Sequence, residues 1–175
     1  MAVNLDKPNR WKEDIALSID MFNKWFLNFA PRTYRETRVK TTNDIINTLK
    51  TTNNLFNLNY NLLIDNPEIL PTLRMSTCPP IAIDRLIGLA GVPSHLVKYI
   101  ENNKKIPPRI SLTDLEFNLN KIMIIIKKMI DPDIFVWLGQ KTPPNQSEIN
   151  RAATIIADRL CGTVTNPIIR NGQEK

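Results

Sequence analysis

Proline placement is the feature that most constrains this chain. Between Pro31, Pro67, Pro79-Pro80, Pro93, Pro107-Pro108, Pro132 and Pro167 lie stretches whose apolar residues recur every three or four positions. That recurrence is the period of a helix with one buried face. Proline has no N–H to give and its ring crowds the preceding turn, so each of these positions is read as the end of a helix or as its first residue. A hairpin-rich fold needs turn glycines instead. The chain has 13 prolines but only 5 glycines, and its Asn-Gly pair, Asn171-Gly172, sits at the far end. The expected fold class is therefore mainly α: a multi-helix globular domain of proline-bounded helices and irregular loops, spanning residues 1–175 as a single domain.

The individual helices follow from the same pattern. Trp11, Ile15, Ile19, Phe22, Phe26 and Phe29 mark one apolar face of a helix that Pro31 should end. Thr33-Tyr34-Arg35-Glu36 then fits the T-x-x-E capping box of a new helix running to about Lys50. The asparagine-rich stretch 51–61 reads as turns, because Asn side chains compete for the backbone. A short helix is predicted over Pro67–Leu73, then a stiff loop over Arg74–Pro80. Ile83, Leu86, Ile87 and Ala90 line a further helix stopped by Gly91, and Leu96, Val97 and Ile100 line the next. Ser111 with Asp114 caps a long helix flanked by the staple pair Ile110 and Leu115. Its stripe of Leu112, Leu115, Leu119, Ile122, Met123, Ile126 and Ile130, widened by Ile124 and Ile125, predicts a central position. Phe135–Leu138 fits a short helix or a strand equally well. Asn145 to Glu148 caps a last helix with Gly162 near its end, and Pro167 is predicted to open another.

Several chemistries are excluded by count. Cys78, Cys161 and the lone His95 cannot furnish a four-ligand zinc site, and one histidine leaves little room for a Ser-His or Cys-His pair. No apolar run approaches the roughly 18 residues of a membrane span, and Met1–Arg10 carries no apolar leader core. A cytoplasmic protein with free thiols and no membrane partner is the expectation.

The net charge of +6 is not evenly spread. Lys24, Arg32, Arg35, Arg38 and Lys40 face only Glu36 over 24–40, and Lys98, Lys104, Lys105 and Arg109 face only Glu101 over 98–109. Arg32, Arg35 and Arg38 step by three, so they form a ridge at the predicted helix start. There the macrodipole already disfavours cations, and an anion such as phosphate would relieve the site. On a continuous helix Arg38, seven residues before Ile45, shares the apolar face and must snorkel. Arg74, Ser76 and Thr77 place a guanidinium and two hydroxyls on a stiff loop that can meet base edges or phosphates, and Arg85 lies beside Gly88 on a polar helix face. Structural roles compete with each of these: a solvated helix end, a loop arginine bonding helix carbonyls, a glycine admitting a neighbouring helix. His95 reads as a surface or capping residue, and the aromatics from Trp11 to Phe29 read as core rather than as a base-stacking platform.

No convincing active site is visible. A carboxylate followed two residues later by lysine, the local half of a metal-dependent nuclease site, is absent. Glu36-Thr37-Arg38 comes nearest, and the acid pairs Asp114/Glu116 and Asp131/Asp133 flank predicted helix starts, where acids suit the dipole. No phosphate-cradling glycine loop occurs.

Four runs, Trp25–Arg32, Leu70–Pro80, Asp84–Val92 and Arg159–Asn171, resemble the N-terminal half of the XamI family of type II restriction endonucleases. The resemblance implies site-specific cleavage of double-stranded DNA by a longer parent enzyme, a homodimer using Mg²⁺. It implies too that the catalytic nuclease domain lies beyond residue 175, so that this chain holds no cofactor and no catalytic residue. On this reading Arg32, Arg35, Arg38, Arg74, Ser76, Thr77 and Arg85 contact DNA, and Lys104, Lys105 and Arg109 form a second, backbone-contacting patch. The alternative is a helical domain that braces the nuclease core or makes the dimer.

Overall fold

Among residues 7–173, which the computed structural model describes, with side chains through Pro167, eight α-helices and one 3₁₀ turn follow one another and no strand forms. They are α1 Lys7–Thr51, α2 Tyr60–Asp65, the 3₁₀ turn Pro67–Ile69, α3 Leu70–Met75, α4 Ile83–Ala90, α5 Ser94–Asn103, α6 Leu112–Met129, α7 Val136–Gln140 and α8 Gln146–Gln173. The predicted mainly α class holds. The leaderless reading of Met1 to Asp6 lies outside the described residues.

Two of the predicted proline breaks do not occur. Pro31 lies inside α1 and Pro167 inside α8, which also runs through Gly162. Proline in a helix interior forfeits one backbone bond and costs about 3 kcal/mol. Ending one helix and starting another leaves about four carbonyls and four N–H groups to be satisfied by other means. Continuing through the proline is the smaller loss. Thr33 accordingly does not cap anything; its carbonyl accepts the Thr37 hydroxyl at 2.8 Å within the helix.

Cα proximity divides the chain into two compact units. One holds residues up to Val39 together with those from Cys161; the other is Lys40–Leu160. In the first unit the apolar stripe of α1 is not a buried face. Trp11, Ile15 and Ile19 are 55%, 59% and 53% exposed, and Phe22, Phe26 and Phe29 are exposed as well. The rings pack on one another along the helix, with Trp25 and Phe29 stacked at 4.9 Å. Ala30 and Cys161 are buried, and the Cys161 thiol donates to the Tyr34 carbonyl at 3.1 Å.

The second unit holds the core. Leu115, Leu119, Ile122, Met123 and Ile126 of α6 are buried where α6 packs on α2 and α4. Each such side chain contributes about 1.5–3 kcal/mol of apolar transfer. Ile124 and Leu112 face solvent, so the stripe is narrower than predicted. The Ser111 hydroxyl accepts the Asp114 N–H at 3.1 Å, as the cap signal required. The start of α8 is a reciprocated box: Asn145 Oδ1 accepts from Glu148 N and Glu148 Oε2 accepts from Asn145 N, both at 2.9 Å. Phe135 and Trp137 are the core aromatics, edge to face at 5.5 Å, and the Trp137 indole N–H donates to the Asn54 carbonyl at 2.8 Å. The ambiguous 135–138 segment thus resolves into the start of α7.

Candidate nucleic-acid interface

The arginine ridge on α1 survives as an exposed surface but not as a helix start. Because α1 runs unbroken through Pro31, Arg32, Arg35 and Arg38 sit mid-helix, and the free N–H groups expected to meet an anion there are spent on helix bonds. Arg32 Nε donates to Glu36 Oε1 at 2.9 Å, and that bond raises the guanidinium pKa. The Arg38 guanidinium lies 5.2 Å above the Tyr34 ring, a cation–π contact that answers how it leaves the apolar side. Arg35 is exposed.

Arg74 near the end of α3 and Ser76 and Thr77 of the loop after it turn inward and are buried. Arg74 is 6% exposed and grips Glu101 through a fork, Nε to Oε1 at 2.7 Å and Nη2 to Oε2 at 3.2 Å. Its Nη1 donates to the Ile81 carbonyl at 2.6 Å. The Ser76 hydroxyl donates to Thr72 O, and the Thr77 hydroxyl lies 2.8 Å from both Arg74 O and Pro79 O. The physical reason is the double proline. A loop with two residues lacking N–H groups cannot close its own backbone bonds, so its buried carbonyls must draw donors from side chains.

Arg159, which sequence reasoning quoted only within a family run, completes that arrangement. Its Nη1 donates to Met75 O at 2.8 Å and Thr77 O at 3.0 Å, and its Nη2 lies 3.5 Å from Asp131 Oδ2. Backbone bonds from Cys78 N to Met129 O and from Asp131 N to Ser76 O tie the loop to the end of α6. No local signal in the sequence marks Arg159, because the carbonyls it meets lie 82 and 84 positions away.

Arg85 and Gly88 are exposed on α4, and a Cβ at Gly88 would meet nothing within 4 Å. The helix admission reading of Gly88 therefore fails within this chain. Asp84 pairs with Lys98 of α5 at 3.1 Å, with both side chains more than half exposed, so the pair is worth at most about 1 kcal/mol. Lys104 is exposed as well, and its ammonium donates to the Glu101 carbonyl at 2.6 Å at the end of α5. Partial desolvation lowers its pKa, opposed by the Glu101 charge. Lys105 and Arg109 remain exposed, and Arg109 shares a surface depression with His95, Pro107 and Pro108. The structure thus separates the predicted residues: Arg85, Lys105 and Arg109 lie on the second unit's surface with Lys98 and His95, the α1 ridge lies in the first unit, and Arg74, Ser76 and Thr77 are internal.

Among the described residues no group of three or more His, Cys, Asp or Glu side chains comes together as a metal cluster. No described helix is long and apolar enough to cross a membrane.

The described residues form an all-helical fold with exposed basic side chains on its surface. Comparison makes the class specific: the chain belongs to the XamI restriction endonuclease family, whose model matches residues 53–175. It is also 41% identical over 175 residues to the type II restriction enzyme SalI of Streptomyces albus G, an alignment covering 99% of this chain and 55% of that relative. The chain thus spans about half the length of the curated relative it matches. No solved structure matches it.

Proposed function

We propose that this chain is the DNA-contacting part of a type II restriction endonuclease that cleaves double-stranded DNA at a specific site. The carrying observation is the charge asymmetry of the second unit. Its Arg85, Lys105 and Arg109 are exposed, whereas of the acids nearest them in sequence Glu101 is buried against Arg74 and Asp84 is already paired with Lys98. Exposed Lys and Arg unmatched by exposed acids draw phosphates by counterion release. Arg32, Arg35 and Arg38 are assigned phosphate contacts as a second patch. The Mg²⁺-holding carboxylates are assigned to residues outside these 175, supported by the missing carboxylate-x-lysine pattern and by the extra length of the relative. The working enzyme is proposed to be a homodimer.

Titration of the chain against duplex DNA at several salt concentrations tests this. Binding whose logarithm falls linearly with log salt, with a slope worth several phosphates, is the expected result. No binding at low salt refutes the reading. The exposed stripe of α1 favours a second reading, in which the chain braces or dimerises the enzyme. That reading predicts concentration-dependent self-association with no affinity for DNA.

A further inference from the structure

We infer that α4, the turn Gly91-Val92-Pro93 and α5 form a helix-turn-helix whose second helix, α5, enters the major groove of duplex DNA. The inference rests on the DNA reading above and names the element that carries it. The two helices are 8 and 10 residues long, separated by three residues, and packed on each other. Gly91 closes α4 in the left-handed region at φ 60, ψ 47, with its N–H bonded to Ile87 O, which turns the chain sharply into α5. A three-residue turn containing glycine between two packed helices is a recurring feature of this motif.

Burial divides α5 into two faces. Leu96, Val97, Ile100 and Glu101 are buried; Ser94, His95, Lys98 and Asn102 are exposed and Tyr99 is half-buried. On the inner side, Leu86, Ala90 and Val92 complete the anchor from α4 and the turn. The outer face carries hydroxyl, imidazole, ammonium and amide groups at i, i+1, i+4 and i+8, the donors and acceptors that read base edges. It carries no acid, because Glu101 is held inside by Arg74. At roughly 15 Å, a helix of this length fits across a groove about 12 Å wide. In such motifs the N-terminal residues of the second helix meet bases while the flanks meet the backbone. That order puts Ser94 and His95 on bases and Arg85, Lys105 and Arg109 on phosphates. Lys98, held to Asp84 at 3.1 Å in an exposed pair, exchanges that partner for the duplex.

The test uses the full chain and a pool of random-core duplexes enriched by repeated binding. Guanine N7 methylation, which reports on the major groove, is expected to be blocked within the enriched site. Substituting His95→Ala, Lys98→Ala and Asn102→Ala together is expected to weaken binding about tenfold or more and to abolish that protection. Arg32→Ala with Arg35→Ala is expected to weaken binding while leaving N7 protection in place. If the triple variant melts early, Lys98→Gln and Asn102→Ala singly read the same face. Parent binding with unprotected N7, or with a triple variant equal to the parent, overturns the helix-turn-helix assignment and leaves the DNA reading standing. No binding of the pool at low salt overturns both.

Discussion

Replacing Arg74 by alanine separates the role its sequence position suggested from the one its surroundings impose. On a solvent-facing loop the substitution would trim one phosphate or base contact and leave stability within about 0.5 kcal/mol. In the fold it strands two groups at once. The Glu101 carboxylate, 6% exposed at its side chain, loses both arms of the guanidinium fork, and the Ile81 carbonyl loses its 2.6 Å donor. Removing one member of a buried ion pair costs about 3–5 kcal/mol, because the surviving charge has no water to turn to. An orphaned buried carbonyl adds about 1–3 kcal/mol. A loss of about 4 kcal/mol or more is therefore expected. In a chain of this size, where each kcal/mol moves the melting temperature by about 2–4 °C, melting falls by roughly 8 °C or more.

The assay is urea unfolding followed by helical circular dichroism, with Glu101→Gln and the double variant closing a cycle. Arg74→Ala should lower the midpoint steeply, and Arg74→Ala with Glu101→Gln should recover part of the loss, since no uncompensated charge then remains. The salt slope of DNA binding should not change for whatever fraction stays folded. A variant that melts with the parent while its salt slope falls by about one would refute the internal placement of Arg74 and return it to the DNA-facing set.

Two further outcomes follow from the same structure. Between the lowered folded pKa of Lys104 and its ordinary 10.5, the unfolded chain keeps a proton that the folded chain has released, so this group should make stability rise with pH across that window; urea midpoints taken up to pH 10.5 should climb more for the parent than for Lys104→Met, and parallel curves would contradict the partial desolvation of its ammonium. Gly91→Ala should cost about 1 kcal/mol from its left-handed φ of 60, with open space around the position to admit the methyl, so thermal melting should fall by about 2–4 °C; an unchanged melting temperature would contradict that backbone conformation.

What could be read from the residues alone was whatever is decided within a turn or two. Ser111 and Asp114 cap α6, and Asn145 and Glu148 cap α8, because a cap involves groups three positions apart and nothing else competes for them. Pro31 misled because a local rule counts the bond a proline removes but not the eight groups that a helix break would expose. The α1 stripe misled differently. A period of three and four says that one face is apolar, yet what covers it is a property of partners, and Phe22, Phe26 and Phe29 stay exposed in this chain. The arginines were least legible, since the fate of Arg74 is set by Glu101, 27 positions away, which only folding brings within 2.7 Å. That same capture leaves α5 without an outward acid. An ion pair read in isolation as a stabilising detail thus helps set the charge of the surface beside it, together with the exposed Asp84 that meets Lys98, and the polarity of the proposed groove-facing helix depends in part on a glutamate turned away from it.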